Sequence, residues 1–173
     1  MPTASADDLQ RVTELIGRAP QSEFEVVVRE PADDPHGEPV VIRNAPFLHD
    51  GTPMPTRFWL AGRDVYRAVS RLEAAGGVRA AEAEVPAELV AQAHARYAAE
   101  RDAAIPGDHV GPRPSGGVGG TREGVKCLHA HYAFHLAGGD DAVGRWVAAR
   151  LAPTTSSAPT TASAPTTASD GTS

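Results

Sequence analysis

The sequence predicts an α+β fold with a small antiparallel sheet of about three strands, about five helices and a disordered C-terminal tail. Short β-branched runs are concentrated in the first third of the chain, and longer segments with apolar residues at helical spacing follow them. This order of elements is typical of a sheet that helices cover on one face. A mostly helical domain with a β-hairpin insert is the alternative.

The predicted sheet follows a short amphipathic helix. Residues 6–18 place four apolar residues at helical spacing, with two aspartates near the start, where they favour a helix N-terminus. Residues 24–29 and 39–43 are rich in valine and isoleucine, and the Asp, Pro and Gly residues between them are typical of a turn. We therefore expect these two strands to pair antiparallel, with a third strand over 57–60.

Helices dominate the rest of the folded part. They are predicted over residues 63–75, 86–104, 124–137 and 140–151. Gly76-Gly77 is interpreted as the end of the first of these, and Pro86 suits the first turn of the second. Residues 105–123 form a long loop rich in glycine and proline, and loops of this length in compact domains are often functional.

Composition limits the class of protein. The 173 residues are interpreted as one globular domain over 5–151 and a disordered Ala/Pro/Thr/Ser tail over 152–173. The net charge of −6 argues against nucleic acid as a partner, and no apolar run is long enough to cross a membrane. The single cysteine cannot form an internal disulfide and the start lacks a secretory signal, so we expect a cytoplasmic protein.

The segment 116–135, GGVGGTREGVKCLHAHYAFH, carries the strongest functional signal. It joins a glycine-rich loop to the only cysteine and three of the seven histidines. If residues 124–137 are helical, Cys127, His131 and His135 share one face and are candidate ligands of zinc or another divalent metal. A metallopeptidase is not indicated, because the histidine pair lacks the glutamate of the HExxH motif.

The same segment predicts an anion site and acid–base groups. The candidate catalytic histidines are His131, His129 and His49. A glycine-rich loop before a helix favours an anion, so we expect an anionic or phosphorylated small molecule as ligand. The candidate ligand-binding residues are Gly119, Gly120, Thr121, Arg122, Lys126 and Arg57. The loop matches neither a Walker A motif nor a dinucleotide fingerprint.

A structural explanation of this segment stays open. The predicted helix is apolar on nearly all sides, so its histidines and cysteine can be core residues that only pack and form hydrogen bonds. The protein would then be a non-catalytic interaction or scaffold protein. Whether it is an enzyme, and its oligomeric state, are not indicated by the sequence.

Three stretches of the chain together resemble a known family. They are residues 44–60, 69–78 and 116–147, and the most specific part is KCLHAHYA over 126–133. The chain is similar to the domain of unknown function 501 (DUF501) family over about residues 12–147. The resemblance implies a cytoplasmic bacterial protein of a family abundant in actinobacteria, and it supplies no activity.

Overall fold

The computed structural model describes residues 4–152, which form a three-stranded antiparallel sheet, six α-helices and one 3₁₀ turn. This confirms the α+β class. The predicted disordered tail lies outside the described residues, apart from Ala152. The strands are β1 (Phe24–Glu30), β2 (Glu38–Asn44) and β3 (Phe58–Leu60). The helices are α1 (Ala6–Ile16), α2 (Arg63–Ala74), α3 (Gly77–Glu84), α4 (Ala87–Ala103), α5 (Leu128–Leu136) and α6 (Ala142–Leu151), with the 3₁₀ turn at Val118–Gly120.

The sheet has the order β1-β2-β3, and both neighbouring pairs are antiparallel. In β2 and β3, Val41 pairs with Leu60 and Ile42 pairs with Trp59. Because successive strand residues point to opposite faces, Val41 and Leu60 lie on one face of the sheet and Ile42 on the other. The register therefore gives the sheet two apolar faces.

Helices cover both of these faces. The larger core packs Val41 and Leu60 against side chains of the helices that follow the sheet. On the other face, Ile42 packs with Val12 of α1 in a second, smaller core. The expectation that helices cover one face only is therefore wrong, because the apolar stripe of α1 buries the second face.

Two helix predictions need correction. Gly76 adopts a left-handed conformation and ends the turn after α2, as expected, but a further helix, α3, starts at the next residue. The predicted helix over 124–137 begins only at Leu128. Gly124 has φ of 63° and Cys127 is extended at φ −157° and ψ 121°, so neither residue is helical.

Candidate functional site

A cleft of about 600 Å³ opens where the end of α1, strand β3, the start of α2 and the start of α5 meet. Its apolar lining comes mainly from the sheet and α1: Leu15, Ile16, Phe58, Trp59 and Leu60. Its polar lining consists of Thr56 together with Arg18, Arg63, Tyr66, Arg67, Cys127 and His129. The cleft therefore combines an apolar floor with cationic and titratable side chains, as small-molecule sites do.

The cleft is strongly cationic for an acidic protein. In the described part of the chain, no Asp or Glu is among its lining residues, although the whole chain has 22 of them. Within residues 4–152, none of the guanidinium groups of Arg18, Arg63 and Arg67 has a carboxylate within ion-pair distance. Arg18 instead lies over the Trp59 ring, 5.3 Å from its centroid. The three charges are thus available to a bound anion.

Two lining residues of the cleft, Cys127 and His129, form a cluster of metal-ligating side chains with Glu73, which does not itself line the cleft. Cys127 Sγ lies 3.7 Å from His129 Nδ1, which lies 3.3 Å from Glu73 Oε1. The three ligand atoms lie within 4.8 Å of one another. Glu73 comes from the last turn of α2, Cys127 immediately precedes α5, and His129 is in the first turn of α5. The close packing of α2 against α5 therefore builds the cluster.

Hydrogen bonds fix the orientation of the His129 ring. Its Nε2 lies 3.2 Å from the carbonyl oxygen of Tyr66 and 3.0 Å from Ser70 Oγ. The Ser70 hydroxyl itself donates to the Tyr66 carbonyl, so it accepts from the ring. Nε2 is therefore the protonated nitrogen, and Nδ1 faces Cys127 and Glu73.

The Cys127 thiol is not activated by its surroundings. Burial, together with the nearby Glu73 carboxylate, raises the pKa of Cys127. The backbone amides of Ala130 and His129 act in the opposite direction without overcoming this effect. A thiol nucleophile needs a lowered pKa, so the surroundings of Cys127 do not favour covalent catalysis.

The predicted metal set of Cys127, His131 and His135 does not come together. His131 is fully buried and its Nδ1 lies 2.7 Å from Asp141 Oδ2. His135 is partly exposed and stacks against Tyr132. The common helical stripe requires Cys127 to be helical, and its extended backbone removes it from that stripe.

The predicted anion-binding residues are also dispersed. Gly119 and Gly120 belong to the 3₁₀ turn, and the Thr121 hydroxyl donates to the Glu123 carbonyl. Arg122 lines a second groove of about 360 Å³ with His94. Lys126 is exposed and lines neither groove.

Arg57 and His49 also lie outside the cleft lining. Arg57 is buried, and its Nε donates to Glu100 at 2.9 Å. His49 is exposed, and its Nδ1 lies 3.9 Å from Glu23 Oε1. The cleft therefore retains Cys127 and His129 of the sequence candidates and gains residues that sequence reasoning did not single out. Of these, Arg63 and Arg67 carried a usable signal, because they stand four residues apart on a predicted helix.

The fold and cleft define the class: a small α+β protein with a cationic cleft and a Cys/His/Glu cluster beside it. Residues 30–149 match the family described as Protein of unknown function (DUF501), and the chain belongs to this family. Neither the curated proteins nor the solved structures gave a match. Within residues 4–152, no helix has the length and apolar character needed to cross a membrane.

Proposed function

We propose that the protein binds a small organic anion, phosphorylated or carboxylated, in the cleft between α1, β3, α2 and α5. The observation that carries the proposal is the set of Arg18, Arg63 and Arg67. They line one cleft without a carboxylate partner in the described part of the chain.

The chemistry of the lining indicates the kind of ligand. A guanidinium group presents paired N–H donors that match a phosphate or carboxylate, and such charge-assisted bonds are strong. Trp59 and Tyr66 add aromatic surface to the cleft, and Tyr66 is 49% exposed. We therefore propose a ligand with an anionic group for the arginines and a ring or apolar part for the aromatic surface.

The rival function is a non-catalytic interaction protein whose Cys/His segment only packs. It accounts for His131, which is buried, but not for Cys127 and His129 in the wall of an open cleft.

We propose the cytoplasm as the compartment, because a reducing environment keeps the single cysteine as a free thiol.

Tryptophan fluorescence tests the proposal at the cleft itself. The chain has two tryptophans, so a Trp146→Phe protein keeps Trp59 as its single reporter. We expect phenyl phosphate and benzoate to change the Trp59 emission saturably, and inorganic phosphate and phenol to act only at much higher concentration. Inorganic phosphate supplies only the anionic group, and phenol supplies only the ring.

The matched variants are Arg63→Ala/Arg67→Ala and Arg79→Ala in the same Trp146→Phe background. Arg79 is an exposed arginine on α3, outside both grooves. Each lost charged hydrogen bond costs about 1.5–3 kcal/mol, so the double variant should bind at least about tenfold more weakly. Equal binding by the two folded variants, or no saturable signal with any probe, would reject the proposal.

A further inference from the structure

We propose that Glu73, Cys127 and His129 form a zinc-binding site beside the cleft. The site is independent of anion binding, because it is built from three side chains other than the arginines of the cleft.

The donor set is the first argument. A thiolate, an imidazole nitrogen and a carboxylate oxygen are the ligand types that zinc takes in proteins, and Mg²⁺ or Ca²⁺ would favour oxygen alone. Within residues 4–152, this is the one group of three or more such side chains whose ligand atoms converge. Three protein ligands also leave a fourth position, as in catalytic zinc sites.

The distances between the ligand atoms are the second argument. Tetrahedral zinc with ordinary bond lengths separates a sulfur and a nitrogen ligand by about 3.5 Å, and a nitrogen and an oxygen ligand by about 3.3 Å. The observed separations are 3.7 Å from Cys127 Sγ to His129 Nδ1 and 3.3 Å from His129 Nδ1 to Glu73 Oε1. Two of the three separations thus match an ion between the side chains, and the third, from Cys127 Sγ to the Glu73 carboxylate, is within 4.8 Å.

The outer contacts of His129 are the third argument. A metal-bound histidine usually donates its other ring N–H to a carbonyl or another fixed acceptor. His129 does this through Nε2, which faces the Tyr66 carbonyl and Ser70 Oγ, so the lone pair of Nδ1 points toward Cys127 and Glu73. In the neutral tautomer no ring proton stands between Nδ1 and the Glu73 oxygen. An ion at this position would bond to both atoms.

Glu73 is held in a similar way. Its Oε1 also accepts a hydrogen bond from the backbone N–H of Leu128, the first residue of α5. A carboxylate oxygen has two acceptor sites, so one serves the amide and the other remains for a metal. On binding, the Cys127 thiol would release its proton to solvent. Thiolate and carboxylate would then balance the two positive charges of the ion.

Cobalt titration of the full chain is the test. Metal-free, reduced protein is titrated with Co²⁺, and we expect one equivalent to produce a thiolate-to-cobalt charge-transfer band in the near ultraviolet. Cys127 is the only cysteine, so this band reports on one atom of the chain. Zinc should displace the cobalt and abolish the band. Absence of the band at millimolar Co²⁺ would overturn the proposal.

Variants assign the other ligands. Loss of an outer contact to a metal ligand typically weakens metal binding about 10–100-fold, so Ser70→Ala should fall in this range and His129→Gln should exceed it. Glu73→Gln keeps the acceptor for Leu128 and should also weaken Co²⁺ binding more than tenfold. His135→Ala is the control and should bind like the wild type. Circular dichroism checks that each variant is folded.

Two further experiments distinguish metal binding from anion binding, and a metal-bound Cys127 from a free thiol. The Arg63→Ala/Arg67→Ala variant should keep full cobalt affinity, so loss of anion binding and loss of metal binding are distinguishable. Zinc should protect Cys127 from alkylation by iodoacetamide. Rapid alkylation that zinc does not slow, or wild-type cobalt affinity in His129→Gln, would reject the metal site in favour of a free thiol.

Discussion

His131 shows how a residue that sequence patterns connect with chemistry can serve the core instead. Its side chain is buried, its Nδ1 donates to Asp141 Oδ2, and Asp141 Oδ1 accepts from the backbone N–H of Gly144. Asp141 is the N-cap of α6, so this pair ties the middle of α5 to the start of α6. Among the described residues, His131 Nε2 has no hydrogen-bond partner.

We expect His131→Ala to lower the free energy of unfolding by about 3–5 kcal/mol, because it leaves Asp141 Oδ2 buried without its partner. His135→Ala, at a partly exposed position on the same helix, should cost less than about 1 kcal/mol. Urea unfolding of both variants measures the difference. If His131→Ala lowers the free energy of unfolding by no more than about 1 kcal/mol, as expected of His135→Ala, the His131–Asp141 pair contributes little to stability.

At the same scale, the sequence indicates Cys127 and His129 but not their partner. Cys127 and His129 are two residues apart, so composition alone draws attention to them. Glu73 belongs to a different helix and meets them only through the packing of α2 against α5. Arg18 likewise reaches the cleft from the N-terminal part of the chain, far in sequence from Cys127 and His129. Contacts between distant segments are not encoded in a local pattern.

At the scale of elements, the glycine-rich loop is a turn that packs closely against α4. Gly117 packs on His94 so closely that a Cβ there would lie 2.4 Å from the His94 Cβ. The next amide, of Val118, donates to His94 Nδ1 at 3.0 Å. Gly116 has φ of 78°, and its carbonyl accepts from Arg101. These contacts account for Gly116 and Gly117 without a phosphate.

Gly117→Ala tests this role. We expect it to cost about 1–3 kcal/mol through overpacking, because the added methyl group must displace His94 from α4. Gly107→Ala is the control, since no atom lies within 4 Å of its added Cβ. It should be neutral or slightly stabilising. A Gly117→Ala protein that melts at the wild-type temperature would contradict the close fit.

Most elements could be predicted because their periodicity is local. The three strands and five of the helices follow from β-branched runs and from apolar residues at helical spacing. Helix α3 was missed because Gly76-Gly77 reads as an end, whereas only Gly76 needs the left-handed conformation. The late start of α5 was missed because the Glu73 carboxylate caps the amide of Leu128 from another helix. Tertiary contacts of this kind decide a boundary that propensity leaves open.

At the scale of the whole molecule, stability should fall with acidity. The hydrogen bond from Trp146, and to a smaller extent that from Arg150, lowers the pKa of Glu84. A hydrogen bond from Arg145 lowers the pKa of Asp140. Burial lowers the pKa of His94 from its ordinary value of 6.5. In each case the unfolded chain binds the proton more readily than the folded chain, so protons favour unfolding.

We therefore expect the thermal midpoint to decrease in two stages as pH falls. The first begins near pH 6.5, where unfolded His94 takes up a proton, and the second begins near pH 4.5, where unfolded Glu84 does. Calorimetry at pH 8, 6 and 4 measures the trend. A midpoint that is constant or rises toward pH 4 would contradict this linkage.

The family match, over residues 30–149, does not cover the whole cleft. Arg63, Arg67, Cys127 and His129 lie inside the matched region, whereas Leu15, Ile16 and Arg18 precede it. The matched region thus contributes one wall of the cleft, and the end of α1 with Arg18, which precedes that region, contributes the other. Exchange of α1 alone would therefore alter the apolar lining that Leu15 and Ile16 supply, while Arg63, Arg67, Cys127 and His129 stay in place.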